Sequence, residues 1–190
     1  KNDIIEKVLM TIYAGGHVLL EDCPGVGKTT LALAFSRVLG LKHSRIQFTP
    51  DTLPSDITGF TIANFKTGEL EYRPGMIMSQ IVLADEINRT SPKTQSSLLE
   101  VMEEGQVSVD GVTYAVPKPF IVLATQNPVG SAGTMLLPNS QLDRFLIRVS
   151  MGYPDFESQI SILRDRHDRD PLADVRAVVS REELQSLQQQ

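Results

Sequence analysis

Residues 17–30 read HVLLEDCPGVGKTT, and the fold turns on how this stretch is parsed. His17–Glu21 is a short apolar run between Gly15-Gly16 and Asp22/Pro24, the pattern of a buried strand. Lys28–Leu39 is apolar at helical intervals, and Gly40 suits the position just past a helix end. Between strand and helix lies a turn whose glycines, Gly25 and Gly27, tolerate the dihedrals that aim successive backbone N–H groups inward. The helix N-terminus adds unpaired donors and the positive end of its dipole, so the turn is an expected anion site. Pro24, Gly25, Val26, Gly27, Lys28, Thr29 and Thr30 are the expected contacts to a nucleotide's phosphates. Lys28 would reach the β- and γ-phosphates of ATP or the terminal phosphate of ADP, and the Thr29 hydroxyl would complete a Mg²⁺ shell. The pattern G-x-x-x-x-G-K-[ST] departs at one point, because Asp22 stands where it asks for glycine.

The next apolar strand, Gln80–Ala84, runs into Asp85-Glu86. Carboxylates at the C-terminal end of a parallel strand stand where open α/β sheets bind ligands. Asp85 would hold a Mg²⁺-bound water and Glu86 would polarise the attacking water, a division of labour that suits phosphoryl transfer. Pro119–Thr125 is a third buried strand and delivers Thr125, Gln126 and Asn127 to the same edge. Asn127 has the amide chemistry to orient a water near a γ-phosphate; its alternative is to favour the turn before Pro128. Arg144, in QLDRF, is either a finger given to a neighbouring subunit or the partner of an acidic neighbour such as Asp143. Arg89 and Arg148 are the other finger candidates.

Around these strands the chain supplies further elements. Ile4, Ile5, Val8, Leu9 and Ile12 recur at helical spacing. Arg45–Thr49 is a candidate second strand, and Asp56–Arg73 a protruding hairpin. Ser91-Pro92 opens a helix with inner face Leu98, Leu99 and Met102, and Gly105 closes it. Asp110-Gly111 between alternating runs marks a tight hairpin over Gln106–Val116. A short helix (Ser140–Phe145), a last strand (Leu146–Ser150), a helix capped by Asp155 and a capping box at Ser180–Glu183 complete the chain. Strands alternating with helices predict a parallel sheet with helices on both faces.

DCPGVGKTT, IVLADEINRTSPKTQSSLLEVMEEGQV, ATQNP and LPNSQLDRF, in that order and spacing, resemble the MoxR group of AAA+ ATPases over about residues 15–155. The resemblance implies a three-layer P-loop NTPase core over residues 1–153, with a central parallel sheet and two β-hairpin insertions. The beginning of a helical lid would then fall in 154–190, cut short before its sensor 2 arginine. It matches Lys28 and Thr29 to Walker A, Asp85 and Glu86 to Walker B, Asn127 to sensor 1 and Arg144 to the arginine finger. It also implies a ring, usually of six subunits with shared active sites, and a chaperone-like ATPase acting on a protein client. Partners with a von Willebrand A domain are common in the group. Two departures, NPVGSAGT after Asn127 and Asn139-Ser140 where Glu-Ala is usual, fall in the stretch leading to Arg144.

Composition narrows the alternatives. No apolar run approaches the roughly 20 residues of a spanning helix. Cys23 is the one cysteine, so neither an intramolecular disulfide nor a cysteine-rich metal site forms, which favours the cytoplasm. The chain opens on Lys1 and enters helical pattern at once, as a fragment would. A net charge of −5 disfavours nucleic acid as the main partner. The rival of a motor akin to minichromosome-maintenance helicases finds only Lys66 and Arg73 as cations on the first hairpin. A magnesium-chelatase-like ATPase subunit is close in sequence logic, whereas a switch without turnover is disfavoured by Glu86. His17, His43 and His167 have no ligand spacing and are expected to be structural or surface residues.

Overall fold

The computed structural model describes residues 2–21, 26–127, 137–168 and 172–189, with backbone only for 163–168. Asp22, Cys23, Pro24 and Gly25 therefore lie outside the described residues, as do the NPVGSAGT segment beyond Asn127 and the His167 side chain.

Five parallel strands form the central sheet: β1 (Val18–Glu21), β2 (His43–Gln47), β5 (Ile81–Asp85), β8 (Ile121–Gln126) and β9 (Ile147–Val149), in the order β2-β5-β8-β1-β9. Their period-2 alternation divides the core. Val18, Leu20, Ile81, Leu83, Ile121 and Leu123 face one layer, packing with α1 (Asn2–Tyr13) and α2 (Lys28–Val38). Leu19, Val82, Ala84, Val122 and Ala124 face the other, against Leu98, Leu99 and Met102 of α4 (Pro92–Glu104). Burial on both faces explains why these strands read as continuous apolar runs. The result is the three-layer arrangement expected from the sequence.

Local chemistry sets the element ends. Ser91 caps α4 by accepting the Thr94 N–H, Pro92 occupies its first position, and Gly105 closes it at φ 65°. Asp110 and Gly111 both adopt positive φ, 49° and 79°, the two-residue turn that matches strand twist between β6 (Gln106–Val109) and β7 (Val112–Ala115). Residues 56–73 are not all hairpin: α3 (Pro54–Thr58) precedes β3 (Gly59–Ala63) and β4 (Leu70–Pro74). Its signals are Pro54 at the first position and Asp56, whose carboxylate accepts the Leu53 N–H at 2.9 Å. Gly75 is required where the hairpin base closes, since a Cβ there would sit 2.0 Å from the Ile57 carbonyl. The two hairpins touch through a stacked Tyr72–Tyr114 pair, centroids 3.9 Å apart, and through a Thr61–Asp110 hydrogen bond.

Several boundaries move: the short helix expected over Ser140–Phe145 spans Asn139–Leu142, and β1, β5, β8 and β9 shift by one or two residues. β2 starts two residues before the expected Arg45 because the Lys42 carbonyl already accepts the Ile81 N–H, and Thr49 leaves the ladder to donate to Thr52 Oγ1. Ile5 turns outward and is 42% exposed, so the inner stripe of α1 is narrower than its apolar count. Asp155 does cap a helix, accepting from Ser158 N–H, but α6 (Phe156–Asp168) outruns the expected end at Leu163. α7 (Arg181–Gln188), opened by the Ser180/Glu183 capping box, docks on α1 with Leu184 fully buried and Gln188 donating to the Ile12 carbonyl. Among the described residues no helix is long and apolar enough to cross a membrane.

His17 ties β8 to α4. Its Nδ1 accepts the Val122 N–H at 3.0 Å, so Nε2 carries the ring proton and donates to the Met102 carbonyl at 3.2 Å. Burial pushes its pKa down, the Met102 bond partly offsets this, and the Lys118 charge adds to the lowering. The unfolded chain therefore takes up a proton more readily than the folded one. This contribution to stability is complete above about pH 6.5 and is lost as pH falls towards the folded pKa. Urea unfolding at pH 7.5 and 5.5 should show the decline, and a flatter profile for His17→Gln. Parallel profiles would assign the decline to other groups.

Candidate functional site

The C-terminal ends of β1, β5 and β8 meet at one edge of the sheet, where Glu21 pairs in register with Gln126 and Ala84 with Ala124. Beside them α2 begins at Lys28, which is 7% exposed. Gly27 precedes it at φ 98°, a conformation that costs other residues strain even though space for a Cβ exists. Thr29 lines a cavity of about 290 Å³ that also takes in Arg45 and the apolar side chains of Leu33 and Leu83.

Asp85 ends β5 and is 8% exposed. Its Oδ1 accepts the Thr125 hydroxyl at 2.6 Å and its Oδ2 the Arg45 guanidinium at 2.7 Å. The next residue, Glu86, takes φ 58°, which is rare outside glycine and marks a backbone held by its surroundings. Its N–H donates to the same Thr125 hydroxyl at 2.9 Å. One threonine thus fixes the Asp85 carboxylate and the backbone of the adjacent acid. Thr125→Val should remove both bonds, leave the buried Asp85 Oδ1 and the partly buried Glu86 N–H unpaired and cost about 1–3 kcal/mol. A urea denaturation midpoint unchanged from wild type would contradict this role.

The Glu86 carboxylate is gripped on both oxygens. Oε1 accepts Asn127 Nδ2 at 3.0 Å; Oε2 accepts Arg89 Nη1 at 2.9 Å and Gln47 Nε2 at 3.0 Å. Burial alone would raise its pKa. The hydrogen bonds from Arg89 and Asn127, with the Arg89 charge, outweigh that and the repulsion from Asp85, so the carboxyl sits below its ordinary range. It is ionised at neutral pH and is a weak proton acceptor, suited to orienting and polarising a water. Asn127 is clamped in turn by Asn88, which donates to its carbonyl and accepts its N–H, each at 3.2 Å. With Nδ2 on Glu86, Asn127 Oδ1 is buried with no partner among the described residues. A buried acceptor without a partner is uncommon, and this one lies in the residue that also holds the Glu86 carboxylate.

Asp85, Glu86 and Asn127 thus stand together. Arg144 does not join them: its Nη1 pairs with Glu103 Oε1 at 2.5 Å on the flank of α4, and Glu103, not Asp143, is the acidic neighbour. Arg89 pairs with Glu86 of its own chain and Arg148 with Glu21 at 3.3 Å. Arg45, Gln47 and Asn88 were not singled out by sequence. Arg45 and Gln47 are alternate residues on β2, so one face carries both, but nothing local announces that β2 lies beside β5. Asn88 adjoins the acidic pair, while its partner lies 39 residues on.

Among the described residues no group of three or more His, Cys, Asp or Glu side chains gathers to hold a metal ion alone. The Thr29 hydroxyl and Asp85 carboxylate are hard oxygen donors, few in number, the set that fits Mg²⁺ carried on nucleotide phosphates.

A parallel sheet in this strand order, a glycine turn opening a helix after β1, and an acidic pair at the end of β5 define a P-loop nucleoside triphosphatase fold. The profile of the ATPase family associated with various cellular activities (AAA) matches residues 17–147, and the chain belongs to that family, in its MoxR-type branch. It is 54% identical over its whole length to YeaC of Bacillus subtilis (strain 168), covering 59% of that protein. It is 45% identical to the chaperone MoxR1 of Mycobacterium tuberculosis (strain ATCC 25618 / H37Rv) over 86% of this chain and 43% of that one. The crystal structure of a proposed ATPase from Cytophaga hutchinsonii ATCC 33406 superposes with TM-score 0.88 at 40% identity, over 99% of this chain and 57% of the other. The chain therefore spans about half the length of the relatives it matches.

Proposed function

We propose that the chain is the nucleotide-binding core of a Mg²⁺-dependent ATPase that remodels or assembles a protein client in the cytoplasm as a ring. The observation that carries this reading is the Glu86 carboxylate, ionised and oriented by Asn127, whose Oδ1 is buried and unpaired among the described residues. In this reading the backbone of residues 24–30 and the Lys28 ammonium bind the phosphates of ATP. Thr29 and Asp85 would hold Mg²⁺, which supplies charge neutralisation on the β- and γ-phosphates. Glu86 and Asn127 hold the attacking water in line, Glu86 accepting one proton in a hydrogen bond and Asn127 Oδ1 the other. Arg144, paired with Glu103 in its own chain, would leave that pair to complete the site of the next subunit. A von Willebrand A domain protein is a candidate partner on the strength of the MoxR branch.

Binding is tested by isothermal titration of Mg–ATP into the full-length protein and its Lys28→Ala variant. Loss of one charge-assisted phosphate contact, worth about 1.5–3 kcal/mol, predicts affinity at least tenfold weaker. Equal affinities would remove Lys28 from the phosphate site.

A further inference from the structure

We propose that Arg45 is the stand-in cation of the metal site: it neutralises Asp85 when no metal is bound, a divalent ion displaces it, and it thereby sets how tightly the site takes its metal. This rests on the assignment of Asp85 to the metal. The Asp85 side chain is 11% exposed and that of Arg45 50%, so the carboxylate is buried and the guanidinium reaches it from solvent. A buried carboxylate needs a compensating charge. Here the sole ion-pair partner of Asp85 among the described residues is Arg45, at 2.7 Å on Oδ2. Thr125 already holds Oδ1, so Oδ2 is the oxygen that a metal-bound water would meet.

The pair is built to come apart. Arg45 cannot shed its proton, so its charge persists and opposes any cation entering beside Asp85. Its half-exposed side chain returns to water at small cost. Because Arg45 Nη2 also donates to Gln47 Oε1 at 3.0 Å, and Gln47 donates to Glu86, displacement is felt along a short chain of side chains at the second acid. Arg45 is thus a positioning residue acting through Asp85, lodged in the cavity that Thr29 also lines.

The test is a Mn²⁺ titration followed by electron paramagnetic resonance on the full-length protein saturated with a non-hydrolysable ATP analogue at low salt. Arg45→Gln, which removes a charge next to the ion, should bind Mn²⁺ about fivefold more tightly, and the gain should shrink as salt is added. Affinity for the analogue in EDTA should be unchanged, and circular dichroism melts confirm that the variant folds. Unchanged or weaker Mn²⁺ binding by Arg45→Gln, with Asp85→Asn weakened, would overturn the role of Arg45 alone. Mn²⁺ binding that Asp85→Asn leaves untouched would instead overturn the metal assignment of Asp85, and the proposal with it.

Discussion

Glu86→Gln in the full-length protein is expected to retain ATP and lose turnover by a factor of about 100 or more. The amide keeps the size of the carboxylate, so the Thr125 bond to the backbone N–H persists and the left-handed residue stays held. What disappears is the charge that Arg89 and Asn127 keep in place. A neutral amide aligns a water less strongly and offers the leaving proton nothing. Its NH₂ can also face Arg89, which would loosen the ion pair at 2.9 Å. The measurement is a pair: analogue binding by titration and steady-state phosphate release. Turnover within a few-fold of wild type would take Glu86 out of the chemistry.

Arg144→Ala should have a similar or larger effect, about a thousandfold on turnover, with little effect on folding. The second half follows from exposure. Arg144 and Glu103 are 40% and 48% exposed, and such pairs contribute between nothing and about 1 kcal/mol. Loss of activity in a stably folded variant therefore points to a role beyond its own chain. Mixing distinguishes the cases: if the arginine serves a neighbour, variant subunits depress activity faster than their share of the mixture. Activity proportional to wild-type content would exclude a role in trans. Arg144→Lys should not restore the wild-type rate, because an ammonium lacks the two-pronged donor geometry.

What sequence conveyed well was local. Ser91-Pro92 with Gly105, Asp110-Gly111 and the Ser180–Glu183 box each place their chemistry within four residues, and each appears in the fold as read. The buried strands were equally plain, because burial on both faces leaves an unbroken apolar run. α3 has too few residues to show periodicity, although Pro54 and Asp56 mark its start. The candidate site was legible only in part for a different reason. Asp85, Glu86 and Asn127 announce themselves by standing at strand ends. Arg45, Gln47 and Asn88 matter through neighbours about 40 residues away, and that adjacency is made by the strand order. The Arg144–Glu103 pair likewise bridges the turn after α5 (Asn139–Leu142) and α4, which no spacing rule joins.

The position of the triphosphate decides the role of every residue at this edge of the sheet. The decisive measurement is a cryo-electron microscopy structure of full-length Glu86→Gln with ATP and Mg²⁺. It should place the phosphates on residues 24–30, the γ-phosphate facing Asn127 and residue 86, a metal between Thr29 and Asp85, and Arg144 of an adjacent copy at the same phosphate. ATP bound elsewhere, or at this edge with Asp85, Asn127 and residue 86 all turned from the γ-phosphate, would contradict it.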